Sequence, residues 1–200
     1  MKLIILQSFY SVTLNRRNTA YAYTGLALRL SLMLGLHRKV ENGPTMTAPE
    51  REHRIRVWWT VYCLDRLMSS KVGHPAMIQD EDIDTQLPSM DGLSPQDMQD
   101  FHDPANLVAQ IQLSRITGNV LSNIYHIPQP GRANTFIHGV QKTLTSLRNF
   151  HRQLPPHVRL DTNSSPMYAN RSVASLHLHF NQVGSRYGET FTFDSSSDIK

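Results

Sequence analysis

Residues 47–68 run Thr47-Ala48-Pro49-Glu50 and then REHRIRVWWTVYCLDRLM, and this stretch predicts the central helix of an all-α protein. Thr47 and Glu50 have the form of a capping box, a hydroxyl at the cap and a carboxylate three residues on, so the helix begins near residue 48. The turn sequence Val72-Gly73-His74-Pro75 ends it after about residue 70. Apolar residues recur at helical spacing in between: Ile55, Trp58, Trp59, Tyr62, Leu64, Leu67 and Met68.

Five further helices are predicted around this one. Upstream, residues 3–14 form a short helix, and Thr19 caps a second helix that runs to about Leu36. Apolar side chains cover most of the circumference of this second helix, so we expect it to be buried centrally. Downstream, helices are predicted from about Pro104 to Tyr125, over 133–153 and over 167–183, and no strand pattern is evident.

The expected fold is therefore an irregular all-α domain of about six helices with a long acidic loop, truncated at both ends. Residues 1–183 form the domain. The serine-rich, apolar-poor residues 184–200 are expected to be a disordered or aberrant tail.

Charge is distributed unevenly along the 200 residues, although the formal net charge is only +4. No Lys or Arg lies between Lys71 and Arg115. A segment without basic residues is unlike a phosphate-binding groove, so a solvated acidic loop is the simplest interpretation. The apolar run 26–36 is interrupted by Arg29 and too short for a membrane span, so we expect no membrane contact. The acidic residues of the loop are Asp80, Glu81, Asp82, Asp84, Asp91, Asp97, Asp100 and Asp103.

Catalytic and metal sites find little support. Cys63 is the only cysteine, which excludes an internal disulfide and a cysteine-rich zinc module within this chain. His177 and His179 fall on different sides of a helix, and neither His37 nor His53 has a carboxylate at ligand spacing. Phosphate loops, nucleotide fingerprints and nucleophile elbows are missing from the sequence, which predicts a protein that is not an enzyme and has no metal site.

Charged and aromatic residues on the two most apolar helices carry the remaining predictions. Trp58 and Trp59 form either core or an aromatic wall for a ligand, with core favoured by their helical spacing. A buried charge needs a partner, so Arg29 and Asp65 are predicted to form a buried ion pair. A backbone carbonyl for Arg29 and Arg66 for Asp65 are the rival partners, and a ligand-binding charge is the other alternative.

A second, weaker pairing is expected between Glu52 and Arg56. They lie one helical turn apart, on what the pattern indicates is the exposed side of the helix.

Three blocks of this sequence resemble the fungal-specific transcription factor domain, also called the middle homology region. The first signature block covers 27–38, with ALRL and LGLHR at its ends. The second covers 52–66, with EHRIRVWW and LDR. The third covers 73–88, with Gly73-His74-Pro75 and Leu87-Pro88, although His74 replaces the family's usual arginine. The signature residues are Arg29, Gly35, His37, Arg38, Arg54, Trp58, Trp59, Asp65, Arg66, Gly73, Pro75 and Pro88.

This resemblance implies a regulatory domain that works in the nucleus. Full-length members of the family bind DNA through an N-terminal zinc cluster of six cysteines, often as dimers. Zinc and DNA are thus expected in the full-length protein and not in this chain. The helical domain would regulate activity, by sensing a small-molecule effector or by contacting other transcription-factor subunits and regulators. A stand-alone helical interaction protein that pairs with intact relatives, or a small-molecule sensor, is the alternative.

Overall fold

The computed structural model describes residues 1–40, 46–124, 133–159 and 171–185. These ranges contain six α-helices and no strand, which confirms the all-α prediction. Three short 3₁₀ turns, Asp80–Asp82, Asp97–Asp100 and Pro156–Val158, lie between them. The helices are α1 Lys2–Thr13, α2 Arg17–Met33, α3 Ala48–Val72, α4 Ala105–Ile124, α5 Ala133–Gln153 and α6 Arg171–Ser185.

Helix α3 begins and ends as the sequence predicts. The Thr47 hydroxyl accepts the N–H of Glu50 at 3.4 Å, and the Glu50 carboxylate accepts the N–H of Thr47 at 2.9 Å. At the other end Gly73 has φ +74°, a left-handed conformation that glycine adopts without strain. The His74 N–H closes the turn on the Ser69 carbonyl at 3.0 Å. Contacts between residues close in sequence therefore determine where α3 begins and where it ends.

Helix α2 begins earlier than predicted. Asn15 takes a left-handed φ of +56°, and the Arg16 N–H bonds the Ser11 carbonyl at 2.9 Å, so the chain reverses tightly after α1. The helix therefore starts at Arg17 without a side-chain cap, and Thr19 lies within its first turn. Its end is a Schellman turn at Gly35, which has φ +64°.

Within the compact unit Met1–Pro128, helices α1 to α4 pack in sequence order, each against the next. Helix α2 packs against both α1 and α3, but the prediction that it is buried around most of its circumference is wrong, and α3 contributes more of the core. Apart from Leu28, the buried residues of α2 are small or carry a hydroxyl. Ser8 of α1 bonds both Thr24 at 2.8 Å and the Ala20 carbonyl at 3.0 Å. The larger side chains Leu26, Met33 and Leu34 are exposed by 46%, 78% and 56%.

The second compact unit, Gln129–Lys200, contains α5 and α6. Phe150 and Phe180 stack with ring centroids 5.8 Å apart, and the His177 ring bonds the Val158 carbonyl at 3.1 Å. Helix α6 covers Arg171–Ser185, two residues beyond its predicted end, and the first predicted residues, 167–170, lie outside the described residues. Residues 186–200, most of the predicted tail, lie outside the described residues.

Candidate functional site

A segment of the acidic loop runs back along α3 in the antiparallel direction. We call residues 77–89 the acidic strap. The start of the strap lies against the C-terminal part of α3, where Asp80 contacts Arg66, and its end lies against the N-terminal part, where Ser89 contacts Glu52. Three groups of side chains on α3 hold it, and they occupy successive levels along the helix.

Arg66 makes the first level. This guanidinium is only 3% exposed and pairs with Asp65 at 3.1 Å and with Asp80 at 3.0 Å. It also donates to the Ile78 carbonyl at 2.6 Å and lies over the Tyr62 ring, 4.6 Å from its centroid. The Tyr62 hydroxyl donates to the same Asp80 oxygen at 2.7 Å. Charge-assisted hydrogen bonds therefore join the helix to both the backbone and a side chain of the strap.

Asp65 stands behind Arg66 and is fully buried. Its Oδ2 atom accepts from Arg66 and from the Met77 N–H at 3.2 Å, which anchors the start of the strap. Burial raises the pKa of Asp65, and the Arg66 charge opposes that rise. Burial also raises the pKa of Tyr62, which keeps the phenol protonated as the donor to Asp80. The arrangement stabilises a fixed distribution of charge.

Trp59 makes the second level and Glu52 the third. The Trp59 indole N–H donates to the Gln86 carbonyl at 2.8 Å. Glu52 accepts the Ser89 N–H at 3.2 Å and pairs with Arg56 at 2.6 Å. The predicted Glu52–Arg56 pair thus forms, but on the buried side, since Glu52 is only 5% exposed. The strap covers this side of α3, and the helical pattern alone could not show that.

The end of α2 also binds the strap. The His37 carbonyl accepts the N–H groups of Asp84 and Thr85, each at 3.2 Å. The Asp84 carboxylate accepts the Lys39 N–H at 2.8 Å and lies 3.8 Å from the Arg38 guanidinium. The first two signature blocks thus both contact the strap, which makes up most of the third block. Most carboxylates of the strap are exposed, as expected for an acidic loop, but its backbone is docked.

The predicted Arg29–Asp65 ion pair is wrong. Asp65 pairs with Arg66, the rival partner considered from sequence, although the two residues are adjacent in the helix. Arg29 is exposed, because the stripe Ala20, Thr24, Ala27 turns the opposite side of α2 inward. Among the described residues, no ion pair joins Arg29 to any carboxylate within 4 Å. Leucines around the whole circumference of α2 had hidden which side faces the core.

The remaining signature residues serve the turns and the core around the strap. Arg54 donates to the Leu34 carbonyl at 3.1 Å, which ties α3 to the end of α2. Trp58 is fully buried, as core packing predicts, with the His37 ring 5.7 Å away. Burial and the neighbouring Arg38 lower the pKa of His37. Pro88 is buried at the end of the strap.

At the α3 turn, the Pro75 carbonyl accepts the Ser69 hydroxyl at 3.4 Å. His74, which replaces the usual arginine, lies against the Tyr21 ring at 5.1 Å between centroids. At this position the chain therefore makes an aromatic contact with α2, where an arginine would make a charged one.

Sequence reasoning missed Tyr62 and Asp80 as anchors and misplaced Glu52. One signal could have found them: Glu52 and Tyr62 share the helical spacing of the core positions on α3, and Asp80 lies two residues after the buried Ile78. Buried polar groups are hydrogen-bonded as a rule, so each needed a partner from a neighbouring segment. The loop after α3 was the nearest segment whose backbone polar groups are not used in helical hydrogen bonds.

Comparisons with known proteins identify the family. Residues 2–154 match the family model of the fungal specific transcription factor domain. An uncharacterized transcriptional regulatory protein of Schizosaccharomyces pombe is 28% identical over 188 residues, 90% of this chain and 22% of its own length. Protein STB5 of Saccharomyces cerevisiae is 27% identical over 150 residues, 74% of this chain and 19% of its own. The lactose regulatory protein LAC9 of Kluyveromyces lactis is 28% identical over 142 residues, 70% of this chain and 16% of its own.

The chain thus spans about a fifth of the length of these relatives. No solved structure matches it. No helix among the described residues is long and apolar enough to cross a membrane. The family match covers all three signature blocks, and the strap with them. This chain belongs to the fungal-specific transcription factor domain family, as a regulatory domain of a fungal transcription factor.

Proposed function

We propose that this domain regulates transcription from within a longer, nuclear protein, and that the acidic strap is part of its working surface. The observation that carries the proposal is that the first two signature blocks both bind the strap, which makes up most of the third block. Buried hydrogen bonds hold its backbone while its carboxylates face solvent, so the domain presents a fixed acidic surface. Such a surface suits contact with basic segments of other transcription-factor subunits or regulators.

DNA binding and zinc belong, in this proposal, to a zinc-cluster module of the full-length protein. The family resemblance supports that assignment, and so does the greater length of the relatives. The strap brings acidic rather than basic side chains to the surface, which disfavours phosphate contacts at this site. The domain itself has no catalytic role here.

Fusion of the chain to a heterologous DNA-binding module tests the proposal in a yeast reporter strain. The fusion is expected to change reporter output several-fold relative to the module alone. An Asp80→Ala fusion, which removes an anchor of the strap, should lose much of that effect. The control Asp100→Ala, an exposed carboxylate outside the strap, should keep it. Equal output from the module with and without the chain would overturn the regulatory role. Gel-shift titration of the chain alone should show no complex that discriminates between DNA sequences.

A further inference from the structure

A cavity of about 400 Å³ lies beside the first level of the strap. Its walls come from the end of α3, the turn and strap residues 73–81, and residues 118–122 of α4. This volume falls within the range of about 300–1,000 Å³ that is usual for small-molecule sites. Every wall belongs to the unit Met1–Pro128, so the cavity is a feature of one compact body.

Arg66 supplies a buried polar group to this cavity. Its Nε–H is buried and has no hydrogen-bond partner among the described residues, although its other nitrogens are engaged. Gly118 makes room for it: a Cβ at that position would stand 2.9 Å from the Nε atom. Both residues line the cavity. A buried donor without a partner is costly, so a hydrogen-bond acceptor inside the cavity would relieve that cost.

The charge around the cavity is negative. The Arg66 charge is already matched by Asp65 and Asp80, at 3.1 and 3.0 Å. Glu81 adds a further carboxylate to the lining, and within the described ranges it forms no ion pair. An anionic ligand would meet this excess of carboxylates, whereas a cation would be attracted to it. Pro75, Ala76 and Leu121 give the cavity an apolar side.

We propose that the cavity binds a small organic amine that also carries a neutral oxygen acceptor, the chemistry of amino amides and amino alcohols. The ammonium group faces Glu81 and Asp80, the oxygen accepts from Arg66, and the apolar part lies against Pro75 and Leu121. Such a ligand contacts the strap, α3 and α4 together and so holds the strap in place. Its role as an effector rests on the proposed regulatory function, but its binding does not.

Binding is measured on the purified chain, apart from any reporter. The probes are phenylalaninamide and leucinamide, each compared with the N-acetylated amino acid of the same side chain, by isothermal titration calorimetry and ligand-observed NMR. The amides are expected to bind and to raise the melting temperature, since a ligand specific for the folded state stabilises it. The acetylated anions are expected not to bind.

Two variants and one control locate the site. Glu81→Gln is expected to weaken binding of the amides by about fivefold, the effect of one solvent-exposed charge contact. Ala76→Phe fills the cavity and should abolish binding, while Asp82→Asn, outside the lining, should leave it unchanged. The melting temperature of each variant without ligand shows whether it is folded. Absence of binding by both amides, tighter binding of the anions, or unchanged binding by folded Glu81→Gln and Ala76→Phe would overturn the proposal. A reporter effect without amide binding would leave the regulatory function standing and remove only the ligand.

Discussion

Trp59 donates its indole N–H to the main-chain carbonyl of Gln86 at 2.8 Å, across 27 residues of sequence. Its neighbour Trp58 is equally buried, yet its own N–H finds no partner among the described residues. The two adjacent tryptophans thus have different roles: Trp58 packs the core, and Trp59 packs the core and also holds the strap.

Phenylalanine substitutions separate these two roles. Trp59→Phe leaves the Gln86 carbonyl without its donor and should cost about 1–3 kcal/mol of unfolding free energy. Amide hydrogen exchange should speed up in the strap more than in α3. Trp58→Phe, the matched control, should lower stability through lost packing without this preferential effect on the strap. If amide hydrogens of the strap exchange at the same rate in both variants, Trp59 does not hold the strap.

Asp80 is the side chain of the strap that meets Arg66. Asp80→Ala removes the acceptor shared by Arg66 and Tyr62 and is expected to cost about 1–3 kcal/mol. Asp80→Asn keeps an oxygen acceptor and should cost less. Urea unfolding gives both values, with Asp82→Ala in the same turn as a control expected within about 0.5 kcal/mol of the parent chain. A control as destabilised as Asp80→Ala would rule out a specific anchor.

The corrected pairing of Asp65 is testable by double-mutant cycles. Asp65→Ala removes one of the two carboxylates that pair with the buried Arg66, and it also removes the acceptor of the Met77 N–H, so it should destabilise by about 1–3 kcal/mol. Arg29→Ala should change stability by less than about 0.5 kcal/mol. Asp65 and Arg66 substitutions should be strongly non-additive. Those of Asp65 and Arg29 should add within about 0.5 kcal/mol. Coupling between Arg29 and Asp65 would restore the ion pair that the sequence suggested.

His177 makes the second unit sensitive to acid. Burial lowers the pKa of its ring below the ordinary value of 6.5, the Val158 carbonyl opposing that shift. The unfolded chain therefore takes up a proton at a higher pH than the folded chain. This histidine's contribution to stability is present above about pH 6.5 and is lost as pH falls toward the folded pKa. His177→Gln should flatten the change in unfolding free energy between pH 7.5 and pH 5.5, and an unchanged slope would disprove the assignment.

Helix α1 carries an exposed apolar stripe at helical spacing. Leu3, Leu6 and Tyr10 are exposed by 80%, 63% and 58%. Exposed apolar patches promote association, so Leu3→Gln with Leu6→Gln should reduce aggregation while leaving the melting temperature nearly unchanged. Light scattering against concentration measures the first effect and circular dichroism the second. A large drop in melting temperature would show that the stripe packs within the domain.

Local signals in the sequence predicted the helices well. The capping box at Thr47 and the glycine turn at Gly73 fixed α3, since both act within a few residues. Burial of α2 was misjudged because leucines surround it, and only the packing of α1 shows that Ala20 and Thr24 face inward. The strap itself was missed, because its partners lie 12 to 48 residues away and no local pattern encodes them. The family resemblance marked many of the right residues without showing what joins them.

The docking of the strap has a consequence for the order of folding. Its anchors close loops of 14, 27 and 37 residues, so each requires α3 to be formed before the contact can stabilise it. Helix α3 forms from neighbouring residues, which is fast, whereas the strap has only a three-residue 3₁₀ turn of its own. The strap should therefore attach after the rate-limiting barrier. Substitutions of its anchor residues should therefore raise the unfolding rate and leave the refolding rate nearly unchanged.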